Sequence, residues 1–186
     1  MDYMTTGMEK SEIQESKQLN DVSITDVSIT EETVMDADVI RVSLLNREDI
    51  PVVEQIEREN YSLPWSARAF LDALERDYYL FLKAEERGVL AGYCGCMRSF
   101  EVAEITNVTV RKDFRRRGIA KRLLTELMDQ ASALGAERFT LEVRRSNAPA
   151  IALYHNLGFR DEGVRRDYYE SPREDALILW TPGESF

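Results

Sequence analysis

Val108-Thr109-Val110-Arg111-Lys112-Asp113-Phe114-Arg115-Arg116-Arg117-Gly118-Ile119-Ala120 passes from a β-branched run through a cationic loop into the start of a helical repeat. The first three residues favour extended chain. Downstream, Leu123, Leu124, Leu127, Met128, Ala131 and Leu134 recur at helical spacing until Gly135 ends them. A strand–loop–helix of this kind leaves the first amides of the helix without intrahelical partners, at the positive end of its dipole. Gly118 and Ala120 let the backbone come close to a ligand, while Arg115, Arg116, Arg117 and Lys121 surround it with positive charge. A pyrophosphate would be held well there. The same residues also suit a solvated basic helix start, so the segment alone leaves both readings open.

Upstream, Val39 to Leu45 alternates like a strand. Asn46 then caps a helix carrying Ile50, Val53 and Ile56, with Pro51 tolerated in its first turn. Leu63-Pro64-Trp65 breaks the chain, and Ser66 caps a second helix through Phe70, Leu71 and Leu74. Three strand-like runs follow at Tyr79–Ala84, Leu90–Arg98 and Val102–Val110, the first two joined by a hairpin turn at Glu86-Arg87-Gly88. Beyond the long helix, Phe139–Val143 predicts a strand. Asn147 opens a helix with Ile151, Leu153, Tyr154 and Leu157, and Gly158 closes it. Strands at Phe159–Arg165 and Ala176–Trp180 complete the pattern. Interleaved elements of this kind give an α/β (α+β) domain: a mixed sheet covered by helices.

The totals agree with a globular domain: 44% of the 186 residues are hydrophobic and 31% charged. No apolar run approaches the roughly 18 to 20 residues that span a bilayer. Met1-Asp2-Tyr3-Met4 has neither the basic start nor the apolar stretch of a secretory signal, so a cytoplasmic location is expected, with no membrane partner. Net charge is −10; ten acidic side chains and two lysines in residues 1–38 account for −8 of it. The remaining −2 points to no nucleic-acid partner. Residues 1–38 also carry the repeat Asp21-Val22-Ser23-Ile24-Thr25, Asp26-Val27-Ser28-Ile29-Thr30, and bury too little apolar surface to order. They are read as a disordered acidic extension before a domain over 39–186. Cys94 and Cys96 flank Gly95, and His155 is the single histidine, which leaves zinc short of ligands. Neighbours i, i+2 on a strand bridge poorly, so the pair is read as reduced core residues, and no metal is expected.

Arg115-x-x-Gly118-x-Ala120 after a strand resembles the acetyl-coenzyme A loop of the GCN5-related N-acetyltransferase (GNAT) family. Leu141-Glu142-Val143-Arg144-Arg145-Ser146-Asn147, Ala150-Ile151-Ala152-Leu153-Tyr154 and Leu157-Gly158-Phe159 resemble its RimI-type branch, as do Leu63-Pro64-Trp65-Ser66 and Arg165-Arg166-Asp167-Tyr168-Tyr169. The resemblance covers about Val39 to Pro182. Asp167 stands where asparagine is frequent, and Ala120 replaces a second loop glycine. The resemblance implies a mostly antiparallel sheet of about seven strands with about four helices on both faces. It also implies acetyl-CoA as co-substrate, bound by Val108, Thr109, Val110, Arg115 to Lys121 and Asn147.

The implied reaction is transfer of acetyl to the N-terminal α-amine of a protein, the alanine of a small-subunit ribosomal protein foremost. An α-amine with a pKa near 8 is partly uncharged at neutral pH, but attack still requires loss of a proton. By the resemblance Glu142 is the base, although a strand glutamate beside Arg144 would also make an ordinary salt bridge. Tyr154 is the implied acid for the departing thiolate, in a place a core aromatic could fill. A backbone N–H along Val108–Val110 would serve the oxyanion. Trp65, Tyr168 and Tyr169 would wall the peptide entrance or simply pack. Two alternatives stay open: an acetyltransferase for lysine side chains or small amines, and a non-catalytic acyl-CoA sensor. Retention of both Glu142 and Tyr154 argues against the sensor. His155 lies in the helix of Tyr154 and gives no support to a Ser-His-Asp site.

Overall fold

The computed structural model describes residues 40–182; the acidic extension lies outside the described residues. The chain order is β1 (Arg41–Leu44), α1 (Ile50–Asn60), α2 (Ala67–Leu74), β2 (Tyr79–Glu86), β3 (Val89–Ser99), β4 (Val102–Val110), α3 (Ile119–Ala133), β5 (Arg138–Arg144), α4 (Ala148–Asn156), β6 (Arg160–Glu170) and β7 (Arg173–Trp180). Short 3₁₀ turns at Arg47–Asp49 and Lys112–Phe114 precede α1 and α3. Seven strands form one sheet in the order β1-β2-β3-β4-β5-β7-β6. Every pairing is antiparallel except β4 with β5. Among the described residues, no helix is long and apolar enough to cross a membrane.

Local chemistry sets the element ends. Ser66 Oγ accepts from Ala69 N–H at 3.2 Å and starts α2. The β2–β3 hairpin turns on Arg87 (φ 53°) and Gly88 (φ 74°), the left-handed pair that matches strand twist. The helical spacing puts Leu134 on the apolar face of α3, yet it is 55% exposed, because the helix stops at Ala133 and Gly135 (φ 99°) swings the chain away. Likewise β6 runs on past Arg165 to Glu170, paired with a β7 that begins at Arg173. As a largely exposed edge strand it carries no apolar alternation to announce that length.

Two cores lie on opposite faces of the sheet. Beneath α3 and α4, Leu123, Leu124 and Leu127 pack with Ala103, Ile105, Leu141 and Val143. Beneath α1 and α2, Val53, Ile56 and Phe70 pack with Phe81 and Tyr93. Cys94 and Cys96 are both free and buried in the first core.

The feature that positions the site is where β4 and β5 part. Their register runs Val102↔Arg138, Ala103↔Phe139 and Glu104↔Thr140, then stops. β5 continues beside β7 to Arg144, while β4 continues beside β3 to Val110. A gap therefore opens between them. In the same stretch Cys96 pairs with Ile105 and Gly95 with Asn107, so Thr106 is an extra residue in β4. This bulge switches the faces of the strand. Ala103 and Ile105 enter the core under α3 and α4, whereas Thr109 turns to the α1 side and meets Tyr61.

Candidate functional site

At the gap, β5 alternates: Leu141 and Val143 point into the α3/α4 core, so Glu142 faces the opposite side. Its side chain is 15% exposed and pairs with Arg165 of β6 at 3.2 Å. Glu104 lies near both. Burial raises its carboxyl above the ordinary range, the charge of Glu142 adds to this, and Arg165 pulls it back. The Tyr169 hydroxyl donates to the Glu142 carbonyl oxygen at 3.4 Å, and its ring lies 4.1 Å beneath the Arg144 guanidinium. Burial chiefly pushes the Tyr169 phenol up to about 12.

Tyr154 comes from the other face. It is buried on α4 with its ring 5.9 Å from Phe159. Burial holds its phenol well above the ordinary value, and Tyr61 and Tyr169 are close enough to add to the effect. Tyr61, Tyr154 and Tyr169 thus lie within electrostatic reach of one another, and burial keeps all three phenols protonated at neutral pH.

A polar chain that the sequence did not announce runs inward from here. Tyr61, just after α1, donates to the Val108 carbonyl at 3.1 Å and shares a 2.8 Å hydrogen bond with Thr109. Tyr93 lies next, and its hydroxyl donates to Glu57, which is 1% exposed and also accepts Trp65 N–H at 2.9 Å. Burial raises the Glu57 carboxyl above its ordinary 4.5, against the pull of these two hydrogen bonds. A native state that binds more protons than the unfolded chain loses stability as pH climbs from 4.5 through the raised value. Glu57→Gln keeps one oxygen to accept the Trp65 N–H and offers its NH2 to the Tyr93 hydroxyl, which can accept as well as donate, and it cannot ionise. It is expected to gain on the wild type steadily over that pH range, read from paired urea titrations. A difference that does not change with pH would refute this.

The loop before α3 is built as a cradle. Arg116 (φ 66°) and Gly118 (φ 78°) are both left-handed, and a Cβ on Gly118 would meet nothing within 4 Å. The first intrahelical bond of α3 runs from Arg122 N–H to Gly118 O at 3.0 Å, so the amides of Ile119, Ala120 and Lys121 precede it. Two of the cations brace the loop itself. Arg115 donates to the Val110 carbonyl at 3.0 Å and to Asn60 at 2.5 Å. Arg117 pairs with Glu86 at 2.6 Å and, like Arg111, lies over the Phe114 ring. Arg116 and Lys121 stand exposed beside the amides. Asn147 caps α4 through Ala150 N–H at 3.4 Å. These residues fit a pyrophosphate at the helix start and a thin linear arm along β4.

The remaining expected residues separate into two places. Tyr168 lies half-exposed under Arg165, 5.2 Å from its guanidinium, near Glu142. Trp65 instead packs on Phe70, Tyr79 and Phe81 on the α1/α2 side. Ser62 Oγ, three residues earlier, donates to the Ser171 carbonyl at 2.8 Å, and so ties the α1–α2 link to the β6–β7 turn. His155 bonds Asp161 at 2.8 Å on the surface. Among the described residues, no group of acidic, cysteine or histidine side chains is placed to hold a metal ion.

Known proteins share both sequence and architecture with this chain. The [Ribosomal protein bS18]-alanine N-acetyltransferase of Salmonella typhimurium is 37% identical over 143 residues, which is 76% of this chain and 96% of that protein. The crystal structure of the ribosomal-protein-S18-alanine N-acetyltransferase from Escherichia coli superposes with a TM-score of 0.72 at 33% identity, covering 80% of this chain and 96% of that one. Arabidopsis thaliana NAA60, solved in complex with acetyl-CoA, shares the fold at a TM-score of 0.69 and 21% identity, covering 76% of this chain and 97% of that one. With residues 46–159 also matching the Acetyltransferase (GNAT) family, this chain is a member of that family of N-acetyltransferases.

Proposed function

We propose that this protein acetylates the N-terminal α-amine of a protein, using acetyl-CoA, with Glu142 as base and Tyr154 as donor to the leaving sulfur. The acceptor is the N-terminal alanine of a small-subunit ribosomal protein, as the names of the relatives suggest, and the setting is the cytoplasm. The observation that supports the reading is the gap beyond Glu104 and Thr140, with Glu142 on the β5 strand that borders it and Tyr154 buried on α4 at the opposite face of the sheet. Acetyl-CoA would supply an activated thioester there, held by the amides of Gly118 to Lys121, by Arg116 and Lys121, and by the β4 backbone from Val108 to Val110.

Each side chain then has one task. Glu142 holds one N–H of the uncharged amine and takes that proton as the nitrogen attacks the thioester carbon. Tyr154 keeps its proton and donates a hydrogen bond to the developing thiolate. A thiolate near 8.5 is a weaker base than a phenolate near 10, so full transfer runs uphill, and burial of Tyr154 steepens it. Stabilisation in place, with solvent supplying the final proton, is the better account. The test is a peptide panel with mass spectrometry and thiol release as readouts. Alanine-leading peptides are expected to gain one acetyl at the α-nitrogen. Acetyl found only on internal lysines would overturn the choice of acceptor, and no thiol release with any amine would favour a sensor.

A further inference from the structure

Asn107 is 7% exposed, and its carboxamide oxygen has no hydrogen-bond partner. Leaving such an atom unpaired opposes folding, and its persistence calls for a cause. Among the described residues two other buried side-chain atoms share the condition, the Nε atoms of Arg98 and Arg138. Both belong to guanidinium groups that are otherwise engaged. Arg98 donates to the carbonyls of Asp77 and Leu134, and Arg138 lies over the Trp180 ring. Asn107 has no such excuse.

Its position supplies one. It follows the extra residue Thr106 and stands opposite Gly95, three residues past the last β4–β5 pair, so it borders the gap. Without the bulge, residue 107 would have followed Ala103 and Ile105 into the apolar core under α3 and α4. With it, Asn107 shares the face of Thr109, two residues on, which is the face from which Tyr61 approaches. Glu142 presents its carboxylate on that same side of the sheet. We propose that Asn107 is an acceptor-binding residue: its carboxamide oxygen receives one N–H of the α-amine while Glu142 receives another. Two fixed N–H directions leave the nitrogen lone pair aimed at the thioester. This rests on the acceptor and base proposed above, and it explains why an unpaired oxygen is kept beside the gap.

Asn107→Leu tests it, because leucine keeps the volume and removes the polar group. The expected result is a fall of about tenfold to a hundredfold in kcat/KM for an alanine-leading peptide. Acetyl-CoA affinity should be unchanged, and Tm unchanged or higher. A purely structural asparagine would give the reverse, a lower Tm with activity per folded molecule intact, and that result overturns the proposal. Unchanged kcat/KM overturns it too. If the leucine variant does not fold, Asn107→Ala is read by the same criteria, with circular dichroism establishing its folded fraction. Wild type in the same assay separates the two levels: an inactive wild type sinks the proposed function and this inference together, whereas an active wild type with an unaffected variant sinks only the inference.

Discussion

Glu142→Gln is expected to slow acetyl transfer by roughly 10²- to 10⁴-fold while leaving acetyl-CoA affinity within about twofold of wild type. The amide has nearly the shape of the carboxylate and can still accept from Arg165, which now lies 3.2 Å from the acid. What it cannot do is take a proton at neutral pH. The cofactor site proposed at Gly118 belongs to another part of the fold and does not use this side chain, so binding should not suffer. The comparison requires kcat from thiol release at saturating peptide and Kd from calorimetry. Turnover equal to wild type would remove Glu142 from the role of base. A parallel loss of cofactor affinity would instead mean that the substitution had disturbed the gap.

Gly95→Ala should lower Tm by about 5–10 °C, corresponding to about 2–3 kcal/mol in a domain of this size. A Cβ there would stand 2.2 Å from Cδ1 and 2.3 Å from Cε1 of Phe81, its cross-strand partner. Phe81 cannot simply step aside. It stacks on Tyr79 at 5.7 Å and meets Phe70 and Trp65 edge-on. Gly95 also pairs with Asn107 on its other flank, so displacement of β3 would reach the bulge of β4. Activity is expected to fall with stability. Calorimetric unfolding of the two proteins under one buffer condition checks the shift, and an unchanged Tm would show that the aromatic cluster can rearrange.

Much of the architecture was legible because local signals agreed with one another. Val102–Val110 was bounded correctly from its alternation, and the caps at Ser66 and Asn147 were visible as residue types. The turn from β4 into α3 could be read because a strand, a glycine and a helix start lie consecutively in the chain. What escaped is what depends on distant segments meeting. Thr106 looks like any strand residue until its pairing with β3 reveals a bulge. Glu57 reads as one more charge on an amphipathic helix, and only the approach of Tyr93 and Trp65 makes it a buried hub. The threefold run of arginines suggested three phosphate ligands, yet the fold turns Arg115 and Arg117 onto its own backbone and side chains. Tyr61 and Asn107 carried no signal that composition or spacing could have isolated.

The link from Ser62 to Ser171 makes the α1–α2 segment and the β6–β7 turn two halves of a clasp. A single neutral hydrogen bond of about 1 kcal/mol leaves such a clasp undone in roughly one molecule in six at any instant. Ser62→Ala would remove the donor and leave the two segments apart more often.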